Sequence, residues 1–163
     1  MLSDAEVLDF YERTCDAVHR YASRLVGGNR VRAEDLVQET YLTLVRQVRA
    51  GRTERVDVGW AITTCRSRFL DQIRRSSRME RTDRRNFQRQ QPEPTEPRAN
   101  ATDALGRLPD SQRAVLVLRY VDELSVAEVA SAMGRSVRAT ESLLVRARDA
   151  LRAAYAAEGG DRS

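Results

Sequence analysis

Residues 124–152, LSVAEVASAMGRSVRATESLLVRARDALR, read as two helices meeting across a tight glycine turn, the layout of a DNA-reading helix-turn-helix. Ser125 followed by Glu128 is a capping box that starts the first helix, and small Ala130 leaves room for a second helix to cross closely. Gly134 supplies the turn. Beyond it Val137, Thr140, Leu144, Ala147 and Leu151 recur at three- and four-residue steps and form an inward face. The opposite face then carries Arg138, Glu141, Ser142, Val145 and Arg146. A plain helical hairpin inside a bundle has the same pattern, so the rest of the chain decides between the two.

Working outward, Leu105 and Leu108 lead into Pro109, and Val115, Leu116, Leu118 and Val121 predict a helix beneath the hairpin, giving a C-terminal bundle of four helices. Upstream, QQPEPTEP at residues 90–97 holds three of the four prolines among polar residues, and periodicity fades between Ser76 and Asn100. That stretch reads as a flexible linker. Before it, Leu8, Tyr11, Cys15, Val18, Ala22 and Leu25 predict a first long helix, stopped by Gly27-Gly28-Asn29. A second spans about Glu34 to Val48 with Val37, Tyr41, Leu44 and Val48 inward, and ends near Gly51. Asp57 can cap a third that carries Trp60, Ile62, Cys65, Phe69 and Ile73. The expectation is an all-α chain of two small helical domains, residues 5–76 and 101–156, joined by a linker over 77–100.

Composition agrees. In 163 residues that are 41% hydrophobic there is room for two modest helical cores, and strand-like alternation is absent. All 28 basic residues are arginine, which suits bidentate phosphate and guanine contacts but equally follows from a GC-rich coding sequence. The net charge of +4 is too small to argue from, whereas its distribution is uneven. Residues 1–48 hold eight acids against six arginines, and residues 66–89 hold nine arginines against three acids. The basic middle is either a solvated run or a phosphate-contacting surface.

No apolar run is long enough to span a bilayer and Met1 to Phe10 lacks a signal-peptide pattern, so a cytoplasmic protein without membrane insertion is expected. Cys15 and Cys65 are too few for a disulfide scaffold and read as reduced core residues. Cys15 and His19 share a helix face, yet a structural zinc site needs four ligands, and His19 is the only histidine. Glycine-rich phosphate loops and nucleophile elbows are absent, and Glu34, Asp35 and Glu39 form an acidic cluster of the kind solvated helices carry. Neither catalysis, nor a cofactor, nor a metal is expected.

AEDLVQETYLTLV at residues 33–45, WAITTCRSRFLDQIRR at 60–75, and LPDSQRAVLVLRYVDELSVAEVA at 108–130 followed by the hairpin occur in that order. With these motifs the chain resembles a bacterial RNA polymerase sigma factor of the extracytoplasmic-function (ECF) subfamily of the sigma-70 family. The resemblance spans nearly all of residues 5–155 apart from the linker. It implies a sigma region 2 bundle that binds core polymerase and melts the minus-10 element, and a sigma region 4 helix-turn-helix bundle that reads the minus-35 element.

Residue by residue, the resemblance implies that Asp35, Leu36, Gln38 and Glu39 contact the β′ clamp of the core enzyme. Since Leu36 and Val37 are adjacent, they cannot both face one core, and Leu36 beside polar neighbours is expected to be the exposed anchor. For the minus-10 element it implies Arg66, Arg74 and Arg75 on the backbone, Trp60 as core or fork-stabilising aromatic, Ser67 at the pocket of an extruded base, and Asp71 among the residues that meet this element. Ser67 stands where relatives often carry asparagine. For the minus-35 element it implies Arg138, Glu141, Ser142, Val145 and Arg146. Glu141 and Val145 depart from the usual basic and aromatic residues and Leu143 replaces a frequent arginine, so a different text is expected there. Further implied partners are promoter DNA, the β flap and an anti-sigma factor. The alternative is a free-standing helix-turn-helix transcriptional regulator, and a helical interaction protein that never touches DNA comes third.

Overall fold

The structure, a computed structural model, describes residues 1–82 and 101–159, and every regular element among them is a helix. Helix α1, Asp4–Leu25, begins at a capping box: Ser3 Oγ accepts from the Glu6 amide and the Glu6 carboxylate accepts from the Ser3 amide. Val26 closes it, and Gly27 and Gly28 follow at φ 64° and 80°, a left-handed backbone that reverses the chain. Asn29 does more than stop α1. Its side chain accepts from the Arg32 amide at 3.1 Å and so starts α2, Arg30–Arg49, one turn earlier than expected. Asp57 Oδ1 accepts from the Trp60 amide at 2.8 Å and caps α3, Val58–Thr82. The helix thus continues past Ser76, and the remainder of the expected linker, 83–100, lies outside the described residues.

α1, α2 and α3 form a three-helix bundle whose core includes Val18, Leu25, Leu36, Leu44, Cys65 and Phe69. Thr14, Thr40 and Thr43 are buried with it. Each hydroxyl donates to the carbonyl four residues back, Phe10, Leu36 and Glu39 respectively, so a polar atom enters the core without an unmade bond. Leu8 and Tyr11, expected inward, are exposed, and Phe10, Thr14 and Tyr21 take the inner face of α1 instead.

The C-terminal unit comprises α4 (Ala101–Gly106), α5 (Asp110–Leu116) running into a π-helical turn (Val117–Val121), α6 (Val126–Met133) and α7 (Val137–Gly159). Its core joins Leu108, Val115, Leu118, Val129, Leu144 and Ala147. Val121, expected inside, is exposed. The two units also pack on each other, with α5 and α6 set against the first bundle. No described helix is long and apolar enough to cross a membrane.

Candidate functional site

On α2 the backbone turns about 100° per residue, which puts Asp35, Gln38, Glu39, Leu42 and Arg46 on one side. Asp35, Gln38 and Leu42 are exposed and Glu39 is half-buried. Leu36 is 1% exposed and belongs to the core, so the expectation of an exposed Leu36 anchor is corrected. The choice between adjacent apolar residues goes the other way. Val37 is half-buried in a shallow apolar groove with Tyr11, Gln38, Tyr41, Leu42 and Val45. Leu42 is 47% exposed, an apolar side chain amid carboxylates and amides. The sequence signal for it was present, a leucine one turn beyond Gln38 on the polar side of α2.

On α3 the same helical step brings Trp60, Ser67, Asp71, Arg74 and Arg75 to one side, while Arg66 lies on another flank. Trp60 is half-buried against the core, Ser67 and Arg75 are exposed, and Arg74 Nη1 donates to Asp71 Oδ1 at 3.2 Å. Arg66 and Arg74 reach the C-terminal unit. Arg66 Nη1 stands 3.6 Å from Asp122 Oδ2, and Arg74 Nη2 donates to the Ala132 carbonyl in the last turn of α6. Asp122 also accepts from the Tyr21 hydroxyl at 2.7 Å. Burial, that hydrogen bond and the carboxylate's charge together push the Tyr21 phenol far above its ordinary range, so it stays a donor at any ordinary pH.

The helix-turn-helix forms as its local sequence dictates. Ser125 and Glu128 close the capping box, and their hydrogen bonds hold the Glu128 carboxyl below its usual pKa. Gly134 adopts φ 65° and ends α6. Arg138, Glu141, Ser142, Val145 and Arg146 are all exposed on the outer side of α7, and Thr140, Leu144 and Ala147 are buried beneath. Two details differ from expectation. Leu143 is 3% exposed, so it packs inside and cannot read a base. Val137 is exposed because it sits at the first residue of α7, ahead of the packed turn.

A second apolar groove lies on the C-terminal unit, lined by Leu105, Leu116, Val117, Tyr120, Val121 and Leu151 together with Arg148 and Arg152. Arg148 Nε donates to the Tyr120 hydroxyl at 2.6 Å. Sequence reading placed Val121 in the core and gave Tyr120 no role. Among the described residues, no group of three or more His, Cys, Asp or Glu is placed to hold a metal ion. Cys65 is fully buried and burial pushes its thiol up to about 11, against a weaker opposing influence of the neighbouring Thr40 hydroxyl; Cys15 is half-buried.

Comparison with known proteins adds to this geometry. Residues 10–79 match the sigma-70 region 2 family and residues 98–151 match the sigma-70 region 4 family. The chain is 35% identical over 148 residues to the ECF RNA polymerase sigma factor BldN of Streptomyces coelicolor, an alignment covering 84% of this chain and 55% of that one. It is 32% identical over 151 residues to the ECF RNA polymerase sigma factor SigL of Mycobacterium tuberculosis, covering 87% of this chain and 84% of that one. The chain thus spans about half the length of the first relative and most of the second. Its fold is similar to that of the sigma factor RpoE of Bartonella quintana, solved with the anti-sigma factor NepR, at TM-score 0.53 and 22% identity over 88% of this chain and 92% of that one.

Proposed function

The chain belongs to the extracytoplasmic-function sigma factors of the sigma-70 family, and from this premise we propose that it binds core RNA polymerase and directs it to promoters. The observation that carries the proposal is one chain presenting two separate polar helix faces, on α3 and on α7, together with an apolar-centred polar face on α2. In this reading Asp35, Gln38 and Glu39 rim the contact with the β′ clamp and Leu42, beside Val37, is its anchor. Leu36 holds α2 from inside.

Trp60, Ser67, Asp71, Arg74 and Arg75, with Arg66 on the flank, engage the minus-10 element and the base extruded there. Unstacking that base costs a few kcal/mol, which arginine contacts to phosphate help offset. Arg138, Glu141, Ser142, Val145 and Arg146 enter the major groove at minus-35. There Arg146 suits guanine, Glu141 can accept from cytosine N4 and Val145 can meet a thymine methyl. The groove around Tyr120 and Leu151 suits an apolar helix of the β flap. An anti-sigma factor that covers these surfaces is a further proposed partner. The protein makes and breaks no covalent bond, and it works in the cytoplasm, where polymerase and promoters are.

A free-standing duplex-binding regulator leaves the α2 groove and the arginines of α3 without a role. Reconstitution with core polymerase on a matching promoter tests the proposal. A promoter-dependent transcript is the expected result, and failure to bind core or to start transcription rejects it.

A further inference from the structure

The groove on the C-terminal unit owes its shape to an irregular turn. Leu118 is buried, and in an α-helix Val121, three residues on, would follow it inward. The chain instead winds wider over Val117–Val121, where the Asp122 amide donates to the Val117 carbonyl, five residues back, at 3.0 Å. Single π-turns inside helices are rare and recur at functional sites. Here the wider turn leaves Tyr120 and Val121 exposed as walls of the groove, which Leu105 of α4 and Leu151 of α7 also line.

Arginines fix Tyr120 in that wall. The Arg119 and Arg148 guanidinium groups lie over its ring, 5.8 and 5.6 Å from the centroid, and its hydroxyl accepts from Arg148 Nε at 2.6 Å. The phenol keeps its own proton to donate, and Arg148 keeps its Nη donors. Arg152 stands one turn further along α7 and meets Asp149 only in a loose surface pair at 3.6 Å. No acidic residue lines the groove.

The cavity measures about 340 Å³, at the lower end of the range for small-molecule sites. Its walls are apolar and the polar side-chain groups that line it are donors, so a ligand rich in donors of its own, such as an amine or a sugar, would leave them unpaired. An anionic head on an alkyl chain satisfies both parts. We propose that the groove binds a monomeric medium-chain fatty acid, its carboxylate on Arg148 and Arg152 and its chain along Val121, Leu105 and Leu151. Bound there, it occupies the surface assigned above to the apolar helix of the β flap and so lowers transcription. That regulatory step rests on the proposed function; the binding itself does not.

Calorimetric titration of the full chain at pH 8 with hexanoate, octanoate and decanoate, each below its micelle concentration, reads the site directly. Affinity is expected to rise about fourfold per added methylene, and decanol is expected to bind about tenfold more weakly than decanoate. Arg148→Gln with Arg152→Gln, both at exposed positions, should bring decanoate down to the level of decanol and leave decanol unchanged. Val121→Glu, at an exposed position too, sets a carboxylate in the wall and should abolish decanoate binding. No heat of binding, equal affinity at all chain lengths, or full decanoate affinity in the arginine variant overturns the site. Binding to phosphatidylglycerol vesicles without uptake of monomeric decanoate overturns it as well.

The regulatory step is read by adding decanoate to a transcription reaction with core polymerase. The transcript should fall with the wild-type chain and persist with the arginine variant at the same decanoate concentration. Binding by calorimetry with no effect on the transcript overturns the regulation alone. A chain that gives no transcript even without decanoate refutes the proposed function, while calorimetry still decides the site.

Discussion

Leu36→Ala and Leu42→Ala separate the core of α2 from its proposed polymerase face. Leu36 is 1% exposed, so truncation leaves a cavity among packed residues, at a cost of about 2–5 kcal/mol in unfolding free energy. Leu42 is 47% exposed, and half its side chain already lies in water, so its truncation costs less than about 1 kcal/mol. Binding reverses the order. Complete burial of a leucine is worth about 1.5–3 kcal/mol, so covering the exposed half under the β′ clamp contributes about 0.7–1.5 kcal/mol, or roughly three- to twelvefold in Kd. Urea unfolding gives the first quantity and titration of core polymerase, well below the unfolding midpoint, gives the second. A Leu36→Ala protein of unchanged stability that no longer binds polymerase would refute the reasoning. So would a Leu42→Ala protein that binds normally.

Arg146→Ala is expected to weaken minus-35-dependent binding by about 1–3 kcal/mol and to relax preference at one base position; unchanged affinity and preference in a binding-site selection exclude base readout by that residue. Gly134→Ala places a Cβ at φ 65°, where it meets only Arg74 Nε at an ordinary 3.7 Å, so the cost is backbone strain of about 1–2 kcal/mol by urea unfolding. Burial alone would raise the Asp110 carboxyl, but the hydrogen bonds and charges of Arg32 and Arg113 outweigh it and hold the group below its ordinary pKa. A lowered folded pKa adds stability above the unfolded value, lost as pH falls through the folded one. The stability gap between wild type and Asp110→Asn should therefore be full at pH 7 and shrink below about pH 4; a gap independent of pH contradicts the pairing. Iodoacetamide at pH 8 should modify half-buried Cys15 well before Cys65, whose thiol is buried and pushed up to about 11. Equal rates, read by mass spectrometry, would show that the α3 core opens readily.

Local signals were legible from the sequence. Ser125, Glu128 and Gly134 define α6 through bonds within a few residues, and the outward set on α7 follows from one helical period. The choice between Leu36 and Val37 was not legible, because the inner face of α2 includes Thr40 and Thr43. Their hydroxyls are satisfied by carbonyls one turn back, so residues that look polar pack as apolar ones. Counting them as outward rotates the predicted stripe and delivers the wrong leucine to the surface. Leu143 shows the same error in reverse, a residue assigned to DNA that the adjoining bundle takes into its core. Arg113 carried no signal at all. An arginine in a helix reads as solvated until a distant carbonyl, that of Leu25, is known to lie beside it.

The chemistry of the contact between the units bears on its reversibility. An apolar seam would hold two domains together irrespective of salt or DNA, because nothing in water competes for it. Here carboxylates and carbonyls meet arginines and glycine backbone meets glycine backbone, although the buried apolar residues of the two units also join in one cluster. Each such bond exchanges for a bond to water or phosphate at small net cost. A phosphate diester carries the same single negative charge as Asp122 and can take both ends of the Arg66 guanidinium, where Asp122 Oδ2 stands 3.6 Å from Nη1 alone, and the Ala132 carbonyl that holds Arg74 is neutral. Under the proposed function, promoter phosphates compete for both arginines once the units part. Only Arg113 is too buried to exchange freely: parting would strip the Leu25 carbonyl from it, while Leu108 and Asp110, on its own unit, remain to hold it. The interface therefore opens by giving up Arg32, Tyr21, Arg66, Arg74 and the Leu25 carbonyl as partners, with Arg113 keeping Leu108 and Asp110 on its own unit.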